Sequence, residues 1–216
     1  MNNRKLLIGL VLLILAAIVA YVAWNRHQTK QLQNTALSQI DHATRALRAA
    51  LTPAAQAQAI ATSATQVDQD LTALRTTGTA RIPLLAAGAD SYLVTVRELL
   101  RRQAIMQELQ VKIGSEIIAF RDHLLSGNRR AANWTTEAVQ LKNRLEQDFR
   151  EYQRTVEAHT KIAEGYPDVR KSLAGLVPDS QLMSLTEITA ARDAAQSAAK
   201  TLTGEVEAAR GIAAPR

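Results

Sequence analysis

Residues 51–55, "LTPAA", stand between two apolar stripes, and whether the chain bends there or turns back decides how the flanking helices stack. Upstream, Leu37, Ile40, Thr44, Leu47 and Leu51 recur at the three-four spacing that lays one stripe along a helix. Downstream, Ala57, Ile60, Ala64, Val67, Leu71 and Leu74 do the same, one residue out of phase with a strict continuation. Thr52 is a candidate cap and Pro53 suits a first helical turn, but no residues are evident for an antiparallel reversal, which normally takes about two to five. The spacing therefore predicts one long helix kinked near Pro53, with the phase change supplied by the bend.

Towards the N-terminus, residues 6–24, "LLIGLVLLILAAIVAYVAW", carry no charge. As a helix they reach about 28 Å, close to the ~30 Å hydrocarbon thickness of a bilayer. Tyr21 and Trp24 fall at the outer end, where amphipathic rings favour the headgroup zone. A cleaved signal peptide needs small residues at −3 and −1; cutting after Ala23 puts Tyr21 at −3, and cutting after Ala20 puts Ile18 there. The segment reads as an uncleaved transmembrane anchor. Arg4 and Lys5 lie before it and Arg26 and Lys30 after it, and long domains are translocated largely regardless of such charges. The expected layout is a short cytoplasmic N-terminus (1–5), the membrane helix (6–24), an exported helical bundle (25–210) and a frayed tail (211–216). The inner (plasma) membrane is the expected site, with the bundle periplasmic in a Gram-negative cell.

Downstream, residues 75–91, "RTTGTARIPLLAAGADS", interrupt the pattern with Gly78, Pro83 and Gly88, and Asp90 or Ser91 is the next candidate cap. A helix from about Tyr92 to Leu125 follows, with Leu93, Val96, Leu100, Met106, Leu109, Ile113, Ile117, Phe120 and Leu124 facing inward and Gly127 as its stop. After "SGNRRAAN" the spacing restarts with Trp134, Ala138, Leu141, Leu145, Phe149, Tyr152 and Val156, and Gly165 and Pro167 are expected to end that helix. Asp179 or Ser180 is placed to cap a last one, striped by Leu185, Ile188, Ala191, Ala195, Ala198, Leu202 and Val206. The fold class is all-α: a transmembrane helix followed by an up-down antiparallel bundle of about four long helices, the first kinked near Pro53. In that arrangement the 126–133 turn returns towards the membrane, where Arg129 and Arg130 are candidates for headgroup contact. Acid-first pairs at i and i+4, Asp41–Arg45, Glu98–Arg102, Glu108–Lys112, Glu146–Arg150 and Glu157–Lys161, mark solvated faces.

Composition agrees. Aromatic residues make up 4% of the 216, Gly and Pro number 9 and 5, and cysteine is absent, which excludes disulfides and thiolate chemistry. Of 26 basic residues Arg4 and Lys5 precede the anchor, leaving 24 against 20 acidic ones, interspersed rather than concentrated; no nucleic-acid face is expected.

No catalytic constellation is legible. His27, His42, His123 and His159 are scattered, without the Glu-x-x-His or His-x-x-x-His spacing of metal bundles and hydrolases, and no phosphate-cradling glycine loop occurs. No cofactor, no metal and no enzymatic activity are expected. His123 beside Asp122 and His159 near Glu157 suit ordinary surface or interface hydrogen bonds. Arg97, Arg101 and Arg102 are candidates for contact with an anionic ligand or partner. Trp134, Phe149 and Tyr152 either line a groove or form the bulky side of the core, opposite the alanines of the last helix. Asn133 or Thr135 is a candidate cap rather than a glycan acceptor.

Residues 163–172, "AEGYPDVRKS", resemble a segment of the LemA-like membrane proteins over that short stretch. The resemblance implies the same pairing of an N-terminal anchor with a helical bundle. The expected function is that of a structural or adaptor component of a cell envelope, bound to the bilayer and to an envelope protein or to itself. The alternative is a sensory or small-molecule-binding bundle resembling chemoreceptor input domains, signalling through a partner.

Overall fold

The computed structural model describes residues 2–52, 54–77, 79–126 and 132–212, with the side chains of 2–12, 126 and 212 outside that description. Five α-helices follow one another: α1 (Asn2–Ala50), α2 (Ala57–Thr76), α3 (Pro83–Ser126), α4 (Trp134–Ser172) and α5 (Leu185–Ile212). No strand is present among the described residues.

The chain turns back at 51–56 instead of kinking. Gln39 Nε2 donates to the carbonyl of Asp70 at 3.1 Å, and His42 Nδ1 lies 2.6 Å from Asp70 Oδ2, so α1 and α2 run antiparallel. The phase change between the stripes is that of two helices rather than of one bent one. Thr52 does not cap α2; its hydroxyl donates backwards to the Ala49 carbonyl at 2.7 Å and helps close α1, while α2 starts after an extended Gln56. Pro53 itself lies outside the described residues.

This extra reversal inverts the direction of everything after it. Arg75–Asp90 and Asp68–Arg97 pairs set α2 antiparallel to α3, so α3 runs in the same direction as α1. The described flanks of the 126–133 turn are then at the end of the bundle opposite the N-terminal segment, against the expectation that this turn comes back to it; Arg129 and Arg130 lie outside the described residues.

α3 begins at Pro83, earlier than Asp90 or Ser91 would place it, and passes through Gly88. That glycine is not a breaker: a Cβ there would stand 2.6 Å from Leu173 Cδ2 and 3.3 Å from the Ser172 carbonyl, so its absence lets the end of α4 close on α3. α4 likewise continues through Gly165 and Pro167. A proline inside a helix costs about 3 kcal/mol. Burial of Ala163, Tyr166 and Leu173 around it, with the hydrogen bonds of Tyr166 and Arg170 described below, offsets that cost.

α3 and α4 form a hairpin along their whole length, from Gly88 beside Leu173 to His123 beside Trp134. Two cores hang on it. The first gathers α1, α2, the front of α3 and the back of α4 around Ile40, Leu71, Leu93 and Tyr166. The second gathers the back of α3, the front of α4 and α5 around Ile113, Phe120, Leu145 and Val206. α1 and α5 therefore occupy the same lane on the hairpin, one after the other. α2 covers only the first half of its own lane. Beyond it, the stripe that carries Arg97 and Ala104 continues as Val111, Ile118 and Leu125, which are 74%, 62% and 67% exposed.

Most stripes predicted from spacing are buried as expected, with Leu185 the exception at 47% exposed. Of the five predicted surface pairs, Asp41–Arg45, Glu146–Arg150 and Glu157–Lys161 form, whereas Glu98 takes Arg97 and Arg101, and Lys112 takes Asp148.

At its N-terminal end α1 leaves the bundle. From Leu13 to Trp24 every side chain is exposed, and the guanidinium of Arg81 lies over Trp24, 5.6 Å from its ring centre. Among the described residues no helix is long and apolar enough to cross a membrane.

Candidate functional site

The features with most chemical character lie where α1 ends and α5 begins. The link between α4 and α5 passes through turns and a short 3-10 segment (Asp179–Gln181) to an extended Leu182, its buried Leu173, Val177, Leu182 and Met183 join the first core, and side chains from three helices hold its backbone. Tyr92 and Thr44 hydroxyls lie 2.6 Å apart, Thr44 donates to the Gln181 carbonyl at 2.7 Å, and the Met183 amide donates to Tyr92 at 3.2 Å. Tyr166 and Arg170 both donate to the Met183 carbonyl, at 2.7 and 2.5 Å. A buried peptide without such partners would cost as much as a lost hydrogen bond, so these tyrosines fix the path of the link. Burial raises the pKa of both phenols, which keeps them as neutral donors.

Ser184 then starts α5 through a reciprocal cap: the Ser184 amide donates to Glu187 Oε2 at 2.7 Å and the Glu187 amide donates to Ser184 Oγ at 3.1 Å. Arg48, in the last turn of α1, donates to Glu187 Oε1 at 2.9 Å and to the Leu182 carbonyl at 3.2 Å. Arg48 first, and the Ser184 bonds after it, hold the Glu187 carboxyl down at about 2. The cap was legible as "SLTE" at 184–187 and is a better start signal than Asp179 or Ser180, which sit in a short 3-10 turn.

Beside this joint opens a groove of about 600 Å³. Its alanine wall comes from α5, including Ala191 and Ala195; Gln103, Gln107 and Gln110 face it from α3. Met106 and Met183 line it further, and the Tyr152 hydroxyl accepts a hydrogen bond from Gln110 Nε2 at 2.9 Å. Its one cation, Arg48, is engaged by Glu187. The lining offers amides, a hydroxyl and apolar surface, which suit a neutral amphipathic group. It offers no nucleophile beside a base. Among the described residues, no three His, Asp or Glu come together as metal ligands.

The arginines singled out from sequence do not form an open anion site. Arg97 Nη1 lies 2.6 Å from Asp68 Oδ1 and Nη2 3.0 Å from Glu98, and Arg101 reaches the same two carboxylates at 3.5 and 3.3 Å. Arg102 does not join them; its Nε is buried without a hydrogen-bond partner. Of the aromatic trio, Phe149 and Tyr152 are core and Tyr152 also borders the groove, while Trp134 is half-buried and stacks on His123 at 5.2 Å. His123 Nε2 donates to the Trp134 carbonyl at 2.9 Å and the Trp134 indole donates back to the His123 carbonyl at 3.2 Å, closing the α3–α4 hairpin. Asn133 stands at the cap position but gives α4 no side-chain cap; its amide donates to Glu137. His159 departs from the expected surface or interface hydrogen bond: it is 2% exposed and its Nδ1 is buried without a hydrogen-bond partner.

Spacing alone missed one further cluster. Lys112 Nζ lies 2.8 Å from Asp148 Oδ2, Asp148 is 6% exposed, and Glu116 on the next turn of α3 leaves Oε2 buried without a hydrogen bond. The acids belong to different helices, so no linear motif joins them.

These features define a helical bundle with a joint and a groove. No protein-family model, no curated protein and no solved structure matches the chain.

Proposed function

We propose that this chain is a single-pass, membrane-anchored helical bundle acting as a structural or adaptor component of a cell envelope, with its short N-terminus cytoplasmic and its bundle exported. The observation that carries the adaptor reading is the vacant half-lane on α3. Val111, Ile118 and Leu125 recur every seven residues, exposed, on the stripe that α2 covers further up. A heptad stripe of this kind is what a helix of another protein packs against. Support for the anchor is the rod at 13–24. Leu13, Ile14, Leu15, Ile18, Val19 and Val22 are all between 42% and 69% exposed, which suits a lipid solvent better than water. Tyr21 and Trp24 stand at its bundle end, as interface anchors do.

A photo-cross-linking residue at Ile118 tests the adaptor reading in native membranes. A discrete adduct, absent when the probe is at exposed Lys161, is the expected result, and an adduct at twice the chain mass identifies self-association. An Ile118 probe that captures nothing sinks it. The groove beside the joint favours a second reading, a sensory or ligand-binding bundle resembling chemoreceptor input domains and signalling through a partner. A saturable small molecule that raises the melting temperature, without any Ile118 adduct, would select it.

A further inference from the structure

The end of the bundle from which the rod projects has a surface unlike the rest. It consists of the α2–α3 turn, the first turn of α3, and the end of α4 with residues 173–178. Beneath it the first core is sealed by Ile82, Leu85, Leu173 and Val177, all buried. Yet two leucines point outwards: Leu84 is 74% exposed and Leu176 is 39% exposed. Around them stand cations without an ion pair among the described residues: Arg26 and Lys30 on α1, Arg81 before α3 and Lys171 at the end of α4. The other two cations here are already engaged, Arg75 by Asp90 and Arg170 by Asp179, which also removes two carboxylates from the balance. Asp168, in the last turns of α4, is an acid without an ion pair among the described residues.

We propose that this end is a membrane-apposed face that binds anionic lipid headgroups through Arg26, Lys30, Arg81 and Lys171 and sets Leu84 and Leu176 into the headgroup layer. The inference rests on the anchor reading. Two independent arguments select lipid as the occupant. The face is continuous with the apolar rod, and Arg81 already covers Trp24, the residue at which the rod meets the bundle. Its unpaired charge is net positive, with Arg26, Lys30, Arg81 and Lys171 outweighing Asp168, and is complementary to an anionic leaflet. Basic side chains with apolar stems beside exposed leucines are the composition of a surface that lies in the interfacial zone.

The absence of cysteine makes single-cysteine reporters clean. The full chain, carrying an environment-sensitive dye at Leu84→Cys, Leu176→Cys or, as the distal control, Val139→Cys, is reconstituted into phosphatidylcholine vesicles with and without phosphatidylglycerol. Expected are a blue shift and quenching by nitroxide-labelled acyl chains at positions 84 and 176 in the anionic vesicles, with neither at 139. The double reversal R81E/K171E weakens that partition by about tenfold or more. Alkaline extraction is run in parallel. Reporters at 84 and 176 that stay as wet as the one at 139, in a chain that resists extraction, overturn this face and leave the anchor standing. A chain that is extracted with its reporters wet overturns both. One that is extracted yet blue-shifts on anionic vesicles overturns the anchor alone and keeps the face as a peripheral contact.

Discussion

Burial pushes the carboxyl of Glu116 up to about 7, with the neighbouring Asp148 carboxylate adding to the rise, and pushes His159 down to about 4. The folded chain holds a proton on Glu116 that the unfolded chain releases near 4.5, so this group costs stability as pH rises from 4.5 towards 7. His159 acts the other way: the unfolded chain takes up its proton near 6.5 and the folded chain resists until about 4, so stability falls as pH drops through that window. Between about 4.5 and 6.5 the two slopes oppose each other. Glu116→Gln removes the first. Its urea midpoint should rise relative to the parent from near pH 5 to near pH 8, and an equal difference at both ends would show that Glu116 does not titrate as described. Neither group was legible in sequence, because burial comes from the partner helix and not from the neighbours along the chain.

At the scale of the helix, apolar spacing read correctly wherever it recorded which face is buried: Ile60, Ala64, Val67, Leu71 and Leu74 are all in the core. Breakers and caps read less well because tertiary contacts override them. Gly88 and Pro167 looked like ends and are interior, one because α4 approaches within the space of a missing methyl, the other because Tyr166 and Arg170 grip the link beyond it. Spacing hides the reversal at 51–56, because the first stripe runs to Leu51 and the second starts at Ala57, although a six-residue turn fits between the observed helix ends. The "SLTE" cap at 184–187 is written in the sequence. Ser184→Ala should cost about 1 kcal/mol, measured by urea denaturation. A change of about zero would mean that Arg48 alone holds the start of α5.

Across the whole molecule, two cores share the α3–α4 hairpin, and neither can open without exposing part of it. Leu71→Ala in the first core and Leu145→Ala in the second, both at 1% exposure, should each cost about 2–5 kcal/mol. Both should lower one common transition, followed by Trp134 fluorescence and by circular dichroism. Two separated transitions would show that the halves unfold as independent units. The groove was not legible because it draws on four helices and a link, and the vacant half-lane was not because it follows from the direction of α2 after the missed reversal.

α1 runs without a break from Asn2 to Ala50, through the exposed rod, past the end of the bundle, to the joint with α5. A continuous helix is a stiff strut: the stretch from Trp24 to Arg48 is about 36 Å long and contains neither proline nor glycine to absorb a bend. Tension or torque applied to the N-terminal segment is therefore shared along the strut, by the buried Ala36, Ile40, Ala43 and Leu47 and, at its far end, by Arg48 with its bonds to Glu187 and the Leu182 carbonyl at the rim of the groove.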